Sequence, residues 1–300
     1  MGERQISGRG PRALVIGSRG FLGGYIARDA ASAFTVLEGN RISSDLPGKQ
    51  AIDIRDKRSI ATVFREARPE VVFLLAAHSD IDYCEQHPED ARAVNLYGAR
   101  HVAEACAAAG AQLIFTSTAA VFDGRQHGYS EESPVNPASI YGETKAEAER
   151  QILALLPDAI IVRFALVIGF GLPPFTGAVL DKLKQRWTSG QSVAFPVFEY
   201  RNAIDAESTS QFMLELVKKH QRGIFHIGSS DSISRYDLGL RLAARMGYSD
   251  SLVSPQREPV PGRAPRGLDY LLLTDKLRAV STIPVPSVSQ AIERCFDGFA

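Results

Sequence analysis

The sequence predicts an α/β protein, a doubly wound parallel sheet followed by a smaller C-terminal lobe. Apolar strand-like runs alternate with helix-like segments from residue 13 to about 165, and this order requires parallel strands joined by right-handed helical crossovers. A loop with three glycines directly follows the first strand. Beyond Ile168 the alternation weakens and Gly- and Pro-rich stretches appear, which is typical of a lobe with long loops.

The strands of the predicted sheet are short apolar runs, buried on both faces. They lie at residues 13–16, 34–37, 71–75, 112–116 and 160–164. Segments with helical spacing separate them, at 21–33, 59–67, 91–109 and 141–156. Gly110 suits the C-cap of the third helix, because glycine adopts the left-handed conformation without a steric penalty. Further helices are predicted near 179–189, 206–220, 236–246 and 287–296.

Composition and charge exclude several classes of function. Lys and Arg together number 34, as do Asp and Glu, so no overall field draws the protein to nucleic acid or to an anionic membrane. No apolar run is long enough to cross a bilayer. Cys84, Cys106 and Cys295 lie far apart, without the spacing of a zinc site. We interpret them as reduced thiols, which predicts a cytoplasmic protein without a bound metal.

The loop after the first strand contains Gly17, Gly20 and Gly23 and opens the first helix. Glycine lets the backbone turn tightly and approach a pyrophosphate, and the helix N-terminus adds free N–H groups and a partial positive charge. The loop, with Phe21 and Leu22, is therefore predicted to hold the pyrophosphate of a dinucleotide cofactor, as in a Rossmann fold. A glycine triplet alone is a weak signal, and its position between a strand and a helix makes this prediction specific.

These elements divide the chain into three predicted regions. Residues 1–12 are polar, basic and glycine-containing, and we expect them to form a flexible tail. Residues 13–167 are predicted to form the dinucleotide-binding domain. Residues 168–300 are predicted to form mainly a substrate-binding lobe, parts of which return to the first domain.

Residues near the end of the second strand distinguish NAD from NADP. An acidic residue there binds the ribose 2′-hydroxyl of NAD, whereas arginine suits the 2′-phosphate of NADP. Glu38 favours NAD. Arg41 and Arg19 favour NADP, because two guanidinium groups can form paired hydrogen bonds with one phosphate. We therefore expect NADP(H), with NAD(H) as the alternative.

A Y-x-x-x-K pattern at Tyr141 and Lys145 indicates proton transfer. The two side chains share one helix face, so the ammonium lies near the phenol. A free tyrosine has a pKa of about 10, and a nearby cation lowers it. Tyrosine can then protonate a carbonyl oxygen as hydride reaches the carbon. The hydroxyls of Thr116, Ser117 and Thr118 end the preceding strand, at the sheet edge where ligands of open α/β sheets bind.

The chain resembles the extended short-chain dehydrogenases/reductases, which act on nucleotide-activated sugars. Within them it is most similar to the dTDP-4-dehydrorhamnose reductase-like group. The resemblance covers most of the chain and is more specific in the first half. The matching stretches are Gly17–Gly23, Asp53-Ile54, Leu75-Ala76-Ala77-His78, Val94-Asn95, Ser117–Gly124, Asn136-Pro137 through Lys145, Gly223–Gly228 and Leu268–Leu277.

This resemblance implies roles for particular residues. Thr118 matches the catalytic Ser/Thr, Tyr141 the proton donor, and Lys145 its partner, which also binds the nicotinamide ribose. Asp53 and Ile54 are expected to flank the adenine. Residues expected to line the cofactor channel or support the active-site geometry are Ala76, Ala77 and Asn95.

Ala119 and Ala120 depart from the family pattern, which has Asp and then Tyr after the catalytic Thr. The 4,6-dehydratases of the class also use an acidic residue beside that Thr. The alanine at 119 therefore argues against a dehydratase, and it leaves a non-catalytic role open.

His78 and Arg266 are the candidate substrate-binding residues besides Thr118. His78 follows the alanines of the third buried strand and could reach a substrate, with a structural histidine as the alternative. Arg266 is preferred because guanidinium groups suit a diphosphate. The other arginines considered are Arg201, Arg257 and Arg263. An acidic run is interpreted as a solvated loop, at Asp80, Asp82 and Glu85.

The expected function is therefore an NADP(H)-dependent reductase of a keto group on a nucleotide-activated deoxysugar. Two alternatives stay open: an epimerase with tightly bound NAD, and a non-catalytic NADP-binding regulatory subunit. The expected partner is a small molecule, a nucleotide sugar. A homodimer through the helices at 91–109 and 141–156 is a further expectation from the resemblance.

Overall fold

The computed structural model describes residues 10–41, 48–174 and 178–297. Its strands are β1 (Arg12–Ile16), β2 (Thr35–Asn40), β3 (Lys49–Ala51), β4 (Val71–Leu74), β5 (Gln112–Thr116), β6 (Ile160–Arg163), β7 (Val167–Ile168), β8 (Val193–Pro196), β9 (Tyr200–Arg201), β10 (Ile204–Asp205), β11 (Gly223–His226), β12 (Ile233–Ser234), β13 (Val253–Gln256) and β14 (Asp269–Tyr270).

Its α-helices are α1 (Phe21–Ala30), α2 (Lys57–Ala67), α3 (Ile81–Gln86), α4 (Pro88–Ala91), α5 (Ala99–Ala109), α6 (Ile140–Leu155), α7 (Val179–Thr188), α8 (Ala206–Lys218), α9 (Arg235–Arg245), α10 (Asp275–Val280) and α11 (Val288–Arg294). A π-helix, Arg92–Gly98, joins α4 to α5. Short 3₁₀ turns lie at Ala119–Val121 and Asp250–Leu252.

Seven parallel strands form the central sheet of the described residues, in the spatial order β11-β6-β5-β4-β1-β2-β3. The chain starts in the middle of this sheet, runs outward to β3, and then crosses back to β4. The strand order therefore reverses between β1 and β4, which leaves a crevice at the carboxyl ends of these strands. The predicted fold class is confirmed, and the reversal identifies the edge where a ligand is expected.

Helices cover both faces of the sheet. Residues of α2, α5 and α6 pack against one face, and residues of α1 and α8 pack against the other. Strands enclosed in this way contact apolar side chains on both sides, so their sequences are almost continuously apolar. All four residues of β4 are buried, which explains why the sequence identifies this strand clearly.

The sheet takes its last strand from the second half of the chain. β11 pairs with β6 in parallel, and α8 packs directly on α1. Phe225 in β11 and Phe212 in α8 are buried in the same apolar cluster as Ile26 of α1. The dinucleotide-binding fold is thus completed by residues beyond 167.

A second apolar cluster organises the C-terminal lobe. It contains Trp187 from α7, Phe195 from β8 and Leu242 from α9. Two short sheets lie here, β13 paired with β8, and β12 with β9 and β14. The lobe joins the central sheet beside the carboxyl end of β6, where Asn202 and the segment around Leu272 are hydrogen-bonded together.

Several local features differ from the elements that the sequence predicts. The long helix predicted at 91–109 contains the π-helix Arg92–Gly98, and such irregular turns are common at functional sites. β3 was not predicted, because Lys49–Ala51 lacks an apolar run. The acidic run was expected to be a solvated loop, but α3 forms there and Asp80 caps it by accepting a hydrogen bond from the Tyr83 amide.

The first nine residues of the expected flexible tail lie outside the described residues. The remainder is short, because Arg12 already belongs to β1. Among the described residues, no helix has the length and apolarity that a membrane-spanning helix needs.

Replacing Phe225 with alanine should destabilise the whole protein, because the ring fills the core between the sheet and helices α1 and α8. We expect a loss of about 3–5 kcal/mol in the free energy of unfolding, measured by urea denaturation. Leu268→Ala is the control: Leu268 is 54% exposed, and its loss should cost less than about 0.5 kcal/mol. Similar losses in both variants would contradict the assignment of β11 to the main core.

Candidate active site

The turn after β5 carries the first candidate catalytic residue. Thr118 ends the extended segment, and its hydroxyl accepts a hydrogen bond from the Ala120 amide, at 3.1 Å. The backbone of this turn is fixed to the neighbouring strand, because the Ser117 and Ala119 amides donate to the carbonyls of Val162 and Phe164. Thr118 is therefore held at the carboxyl edge of the sheet.

Helix α6 brings the other two candidates to this turn. Ser139 caps the helix by accepting a hydrogen bond from the Gly142 amide at 3.3 Å. A Cβ on Gly142 would lie 2.1 Å from the carbonyl oxygen of Ala120, so only glycine permits the observed contact. This contact places Tyr141 within hydrogen-bonding reach of Thr118. The structure thus brings Thr118, Tyr141 and Lys145 together.

Burial shifts the pKa values of the two titratable residues in opposite directions. Burial raises the pKa of the Tyr141 phenol to about 12, although the hydrogen bond with Thr118 favours the phenolate. Burial lowers the pKa of the Lys145 ammonium to about 7, while the negative charge of Glu149 acts in the other direction. The Lys145 ammonium also lies 3.8 Å from the centre of the Phe115 ring. In this state Tyr141 carries the proton that a general acid needs.

Asn95 lies in the π-helix and connects the active-site elements. Its amide nitrogen donates to the His78 carbonyl at 2.9 Å, and its side-chain oxygen accepts from the His78 amide at 2.8 Å. The same side chain contacts the Thr144 hydroxyl at 3.4 Å. Asn95 therefore fixes the segment after β4 against α6, and its predicted contact with a cofactor stays a prediction.

The glycine loop has the close packing that a pyrophosphate cradle requires. Gly17 has a φ of +95°, and a Cβ there would lie 2.9 Å from the Ala76 amide nitrogen. A Cβ on Gly23 would lie 2.1 Å from the Gly17 carbonyl oxygen. The backbone of the loop thus packs closely on the first turn of α1, where only glycine fits. The Leu22 side chain points into the core, so it can meet a ligand only through its backbone.

A cavity of about 260 Å³ continues from the glycine loop along the carboxyl ends of β1, β2 and β4. Its walls include six residues that the sequence predicts for the cofactor site and one predicted for the substrate, namely Gly17, Arg41, Asp53, Ile54, Ala76, Ala77 and His78. The shape and lining fit an adenosine group, because apolar walls are combined with a few polar groups at the rim.

The residues predicted to discriminate between NAD and NADP lie beside the glycine loop. Glu38 accepts a hydrogen bond from the Ser18 hydroxyl at 2.9 Å. Asn40, which the sequence reasoning missed, accepts from the Arg19 amide at 3.0 Å and donates to Ser18. These contacts tie Glu38 and the loop together, while Arg41 is exposed at the rim of the cavity.

Arg55 is a second residue that the sequence reasoning missed. It forms a paired ion contact with Asp53, with distances of 3.0 and 2.6 Å, and this contact lowers the pKa of the Asp53 carboxyl. Arg55 also lines the cavity. Its proximity to Asp53 in sequence was the available signal, because a basic side chain two residues from a pocket carboxylate can reach it.

Two of the predicted substrate residues, His78 and Arg266, are held by carboxylates in this structure. The His78 ring nitrogen lies 2.9 Å from Asp90. Arg266 forms a paired contact with Asp82, at 3.0 and 2.8 Å, and this contact lowers the pKa of Asp82 to about 2. The Ala264 amide donates to the same carboxylate. Asp82 thus joins α3 to the loop before β14, and the role of Arg266 in substrate binding stays a prediction.

Positive charge accumulates beside this loop. Arg201 is buried and pairs with Glu199 at 3.0 Å, and burial lowers its pKa to about 10. Arg235, which the sequence reasoning missed, has a buried Nε atom without a hydrogen-bond partner among the described residues. Burial lowers the pKa of the Arg235 guanidinium, and the positive charges of Arg263 and Arg266 act in the same direction. Among the described residues, no group of three or more His, Cys, Asp or Glu side chains could hold a metal ion.

Replacing Gly23 with alanine should weaken the binding of NADPH by at least about tenfold, or about 1.4 kcal/mol, because the added methyl group collides with the Gly17 carbonyl. Fluorescence titration of NADPH measures this affinity. Gly24→Ala is the matched control, since its Cβ would meet nothing closer than 3.8 Å. Unchanged affinity in the Gly23 variant would remove the loop from the cofactor site.

Comparisons with known proteins identify the fold and the family of this chain. Methionine adenosyltransferase 2 subunit beta of Xenopus tropicalis is 25% identical over 276 residues, covering 90% of this chain and 83% of that protein. dTDP-4-dehydrorhamnose reductase of Streptomyces griseus is 37% identical over 172 residues, covering 57% of this chain and 54% of that protein. The crystal structure of dTDP-4-dehydrorhamnose reductase from Bacillus anthracis in complex with NADP superposes with a TM-score of 0.85 at 21% identity, covering 96% and 98% of the two chains. The profile described as RmlD substrate binding domain matches residues 11–300, so the chain belongs to the RmlD substrate-binding domain family.

Proposed function

We propose that this protein is an NADP(H)-dependent reductase of a keto group on a nucleotide-activated deoxysugar, similar to dTDP-4-dehydrorhamnose reductase. The observation that carries the proposal is the assembly of Thr118, Tyr141 and Lys145 at the same sheet edge as the glycine loop. The family match and the reductase relatives support this substrate class.

The residues around the crevice fit a nicotinamide dinucleotide. The backbone of Gly17, Gly20 and Gly23 would hold the pyrophosphate, with the N-terminus of α1. Asp53 and Ile54 would contact the adenine, since both line the cavity next to the loop. Arg19 and Arg41 would bind the 2′-phosphate, because guanidinium groups form paired hydrogen bonds with phosphate. When bound, the reduced nicotinamide supplies the hydride.

The residues of this chain then control the oxygen of the substrate carbonyl. The Thr118 hydroxyl orients that oxygen by hydrogen bonding. The Tyr141 phenol donates its proton to the oxygen as negative charge develops there, which leaves a phenolate. The Lys145 ammonium, one helical turn away, stabilises the phenolate by its positive charge. The carbonyl carbon thereby becomes a carbinol, and solvent must return a proton to Tyr141 before the next cycle.

The diphosphate of the substrate would meet the arginines of the C-terminal lobe. Arg235 offers an unused buried Nε donor, which an anionic ligand could satisfy. Arg266 would contribute if it exchanged Asp82 for phosphate, since both partners bind guanidinium in the same paired geometry. In this arrangement the sugar would lie between the arginines and Tyr141.

A second function is favoured by two specific observations. Ala119 and Ala120 replace the polar residues that the reductase pattern has beside the catalytic Thr. A subunit of methionine adenosyltransferase is also among the relatives. On this alternative the fold binds NADP(H) and serves as a subunit of another enzyme, without turnover of a sugar.

Replacing Tyr141 with phenylalanine should lower turnover by at least about a hundredfold, because the proton donor is lost, while NADPH affinity is retained. The assay mixes protein with NADPH and a panel of nucleotide 4-keto-sugars and follows the absorbance of reduced nicotinamide. Tyr97→Phe is the control. Tyr97 is 49% exposed, so this substitution should leave turnover unchanged.

Three results of that assay would argue against the proposal. Equal turnover in Tyr141→Phe would exclude this tyrosine as the acid. Binding of NADPH without oxidation by any substrate would favour the subunit function. Oxidised NAD retained through purification, with interconversion of sugars and no net oxidation of NADPH, would indicate an epimerase.

Replacing Arg41 with alanine should weaken NADPH binding by at least about tenfold and leave NADH binding unchanged, because a charge-assisted hydrogen bond contributes about 1.5–3 kcal/mol. The two affinities are compared by fluorescence titration. Arg65→Ala is the control, since Arg65 is exposed in the last turn of α2, away from the carboxyl edge of the sheet. Equal weakening of NADPH and NADH would show that Arg41 does not read the 2′-phosphate.

A further inference from the structure

Helix α6 carries a third buried polar residue in line with the catalytic pair. Tyr141, Lys145 and Glu149 are spaced four residues apart, so they lie on one helix face. They are 9%, 2% and 3% exposed, respectively. A carboxylate buried to this degree is rare unless it is paired, and the mechanism described above does not use it.

Glu149 is held from two neighbouring strands. Arg163, at the end of β6, donates from Nε to Oε1 at 3.0 Å and from a terminal nitrogen to Oε2 at 2.5 Å. The Ser117 hydroxyl, at the end of β5, donates to the same carboxylate. Because Ser117 directly precedes Thr118, the carboxylate connects the catalytic turn to the helix of Tyr141 and Lys145.

The other titratable groups around this cluster are neutral near pH 7. Burial raises the pKa of Cys84, on α3, to about 11. Burial also raises the pKa of Tyr141 to about 12. Burial, together with the charge of Arg163, lowers the pKa of His226, on β11, to about 3.

The Glu149 carboxylate is therefore paired with one buried cation, Arg163, and lies one helical turn from a second, Lys145. Arg163 is 1% exposed, and its second terminal nitrogen has no hydrogen-bond partner among the described residues. Lys145 has the ring of Phe115 on one side, and Glu149 is the anion that favours its charged form. The carboxylate is thus fixed by Arg163 and Ser117, and its negative charge favours the charged form of Lys145.

We propose that Glu149 is a positioning residue that keeps the Lys145 amine charged beside Tyr141, and that Arg163 and Ser117 hold its carboxylate in place for this purpose. The proposal rests on the proposed function for the use of Lys145 in catalysis. The alternative is a purely structural ion pair that holds β6 against α6, in which case the protonation of Lys145 would not depend on Glu149.

Measuring the protonation of Lys145 itself separates these two roles without any substrate. Protein is prepared with an isotope label at lysine Cε, whose NMR shift follows the protonation of the amine. The Lys145 signal is identified by its absence from Lys145→Arg. Titrations of wild type and Glu149→Gln then give two midpoints. We expect the midpoint of the variant to lie at least about one pH unit lower, because an anion nearby favours the charged amine.

Glu147→Gln is the matched control, with the same change two positions earlier on the same helix. Glu147 pairs with Arg150 on the surface, so its loss should leave the Lys145 midpoint unchanged. A lone buried arginine could prevent Glu149→Gln from folding. In that case Glu149→Gln/Arg163→Gln removes both charges together, and its midpoint should lie below that of Arg163→Gln, which keeps the carboxylate.

An unchanged Lys145 midpoint in a folded variant lacking the Glu149 carboxylate would overturn the proposal. This result does not depend on the substrate or on turnover. A lowered midpoint in a protein that reduces no sugar would support the role of Glu149 and reject the proposed function, so the two failures can be told apart.

Discussion

The active site depends on the contact between helix α6 and the turn after β5. Gly142 lies so close to the Ala120 carbonyl that a methyl group there would collide with it, and this closeness brings the phenol of Tyr141 to the hydroxyl of Thr118. Backbone hydrogen bonds to the carbonyls of Val162 and Phe164, at the end of β6, hold this turn in place. The geometry of the candidate site is therefore set by backbone packing, which is more rigid than contacts between long side chains.

Burial of this site opposes the charges that its proposed chemistry requires. It favours the neutral forms of Tyr141 and Lys145, whereas a reductase needs a phenol that can release its proton and a lysine that carries charge. The negative charge of Glu149 opposes the effect of burial on Lys145. This carboxylate lies on the helix and is fixed by its ion pair with Arg163 from the sheet. Such groups need not reorganise when charge develops on the substrate.

The parts of the site that could be predicted from sequence are those encoded by local spacing. The glycines of the first loop and the pair Tyr141 and Lys145 are a few residues apart, and helical or turn geometry converts that spacing into proximity. The contacts of Asp82 with Arg266 and of Glu149 with Arg163 depend instead on how distant elements meet. For the same reason the sequence predicts a solvated loop at Asp82, where the structure has α3. Arg235 could not be identified, because its unused donor is a property of the packed lobe.

The pairing of β11 with β6 also bears on how the protein is made. A nascent chain that has emerged only as far as β6 has an unpaired strand edge, and the face of α1 that α8 later covers is open. Exposed strand edges and apolar faces of this kind promote association between incomplete chains. The sheet and its helical cover are therefore incomplete until β11 and α8 have left the ribosome. Chaperones that protect the chain during that interval would favour a high yield of native protein.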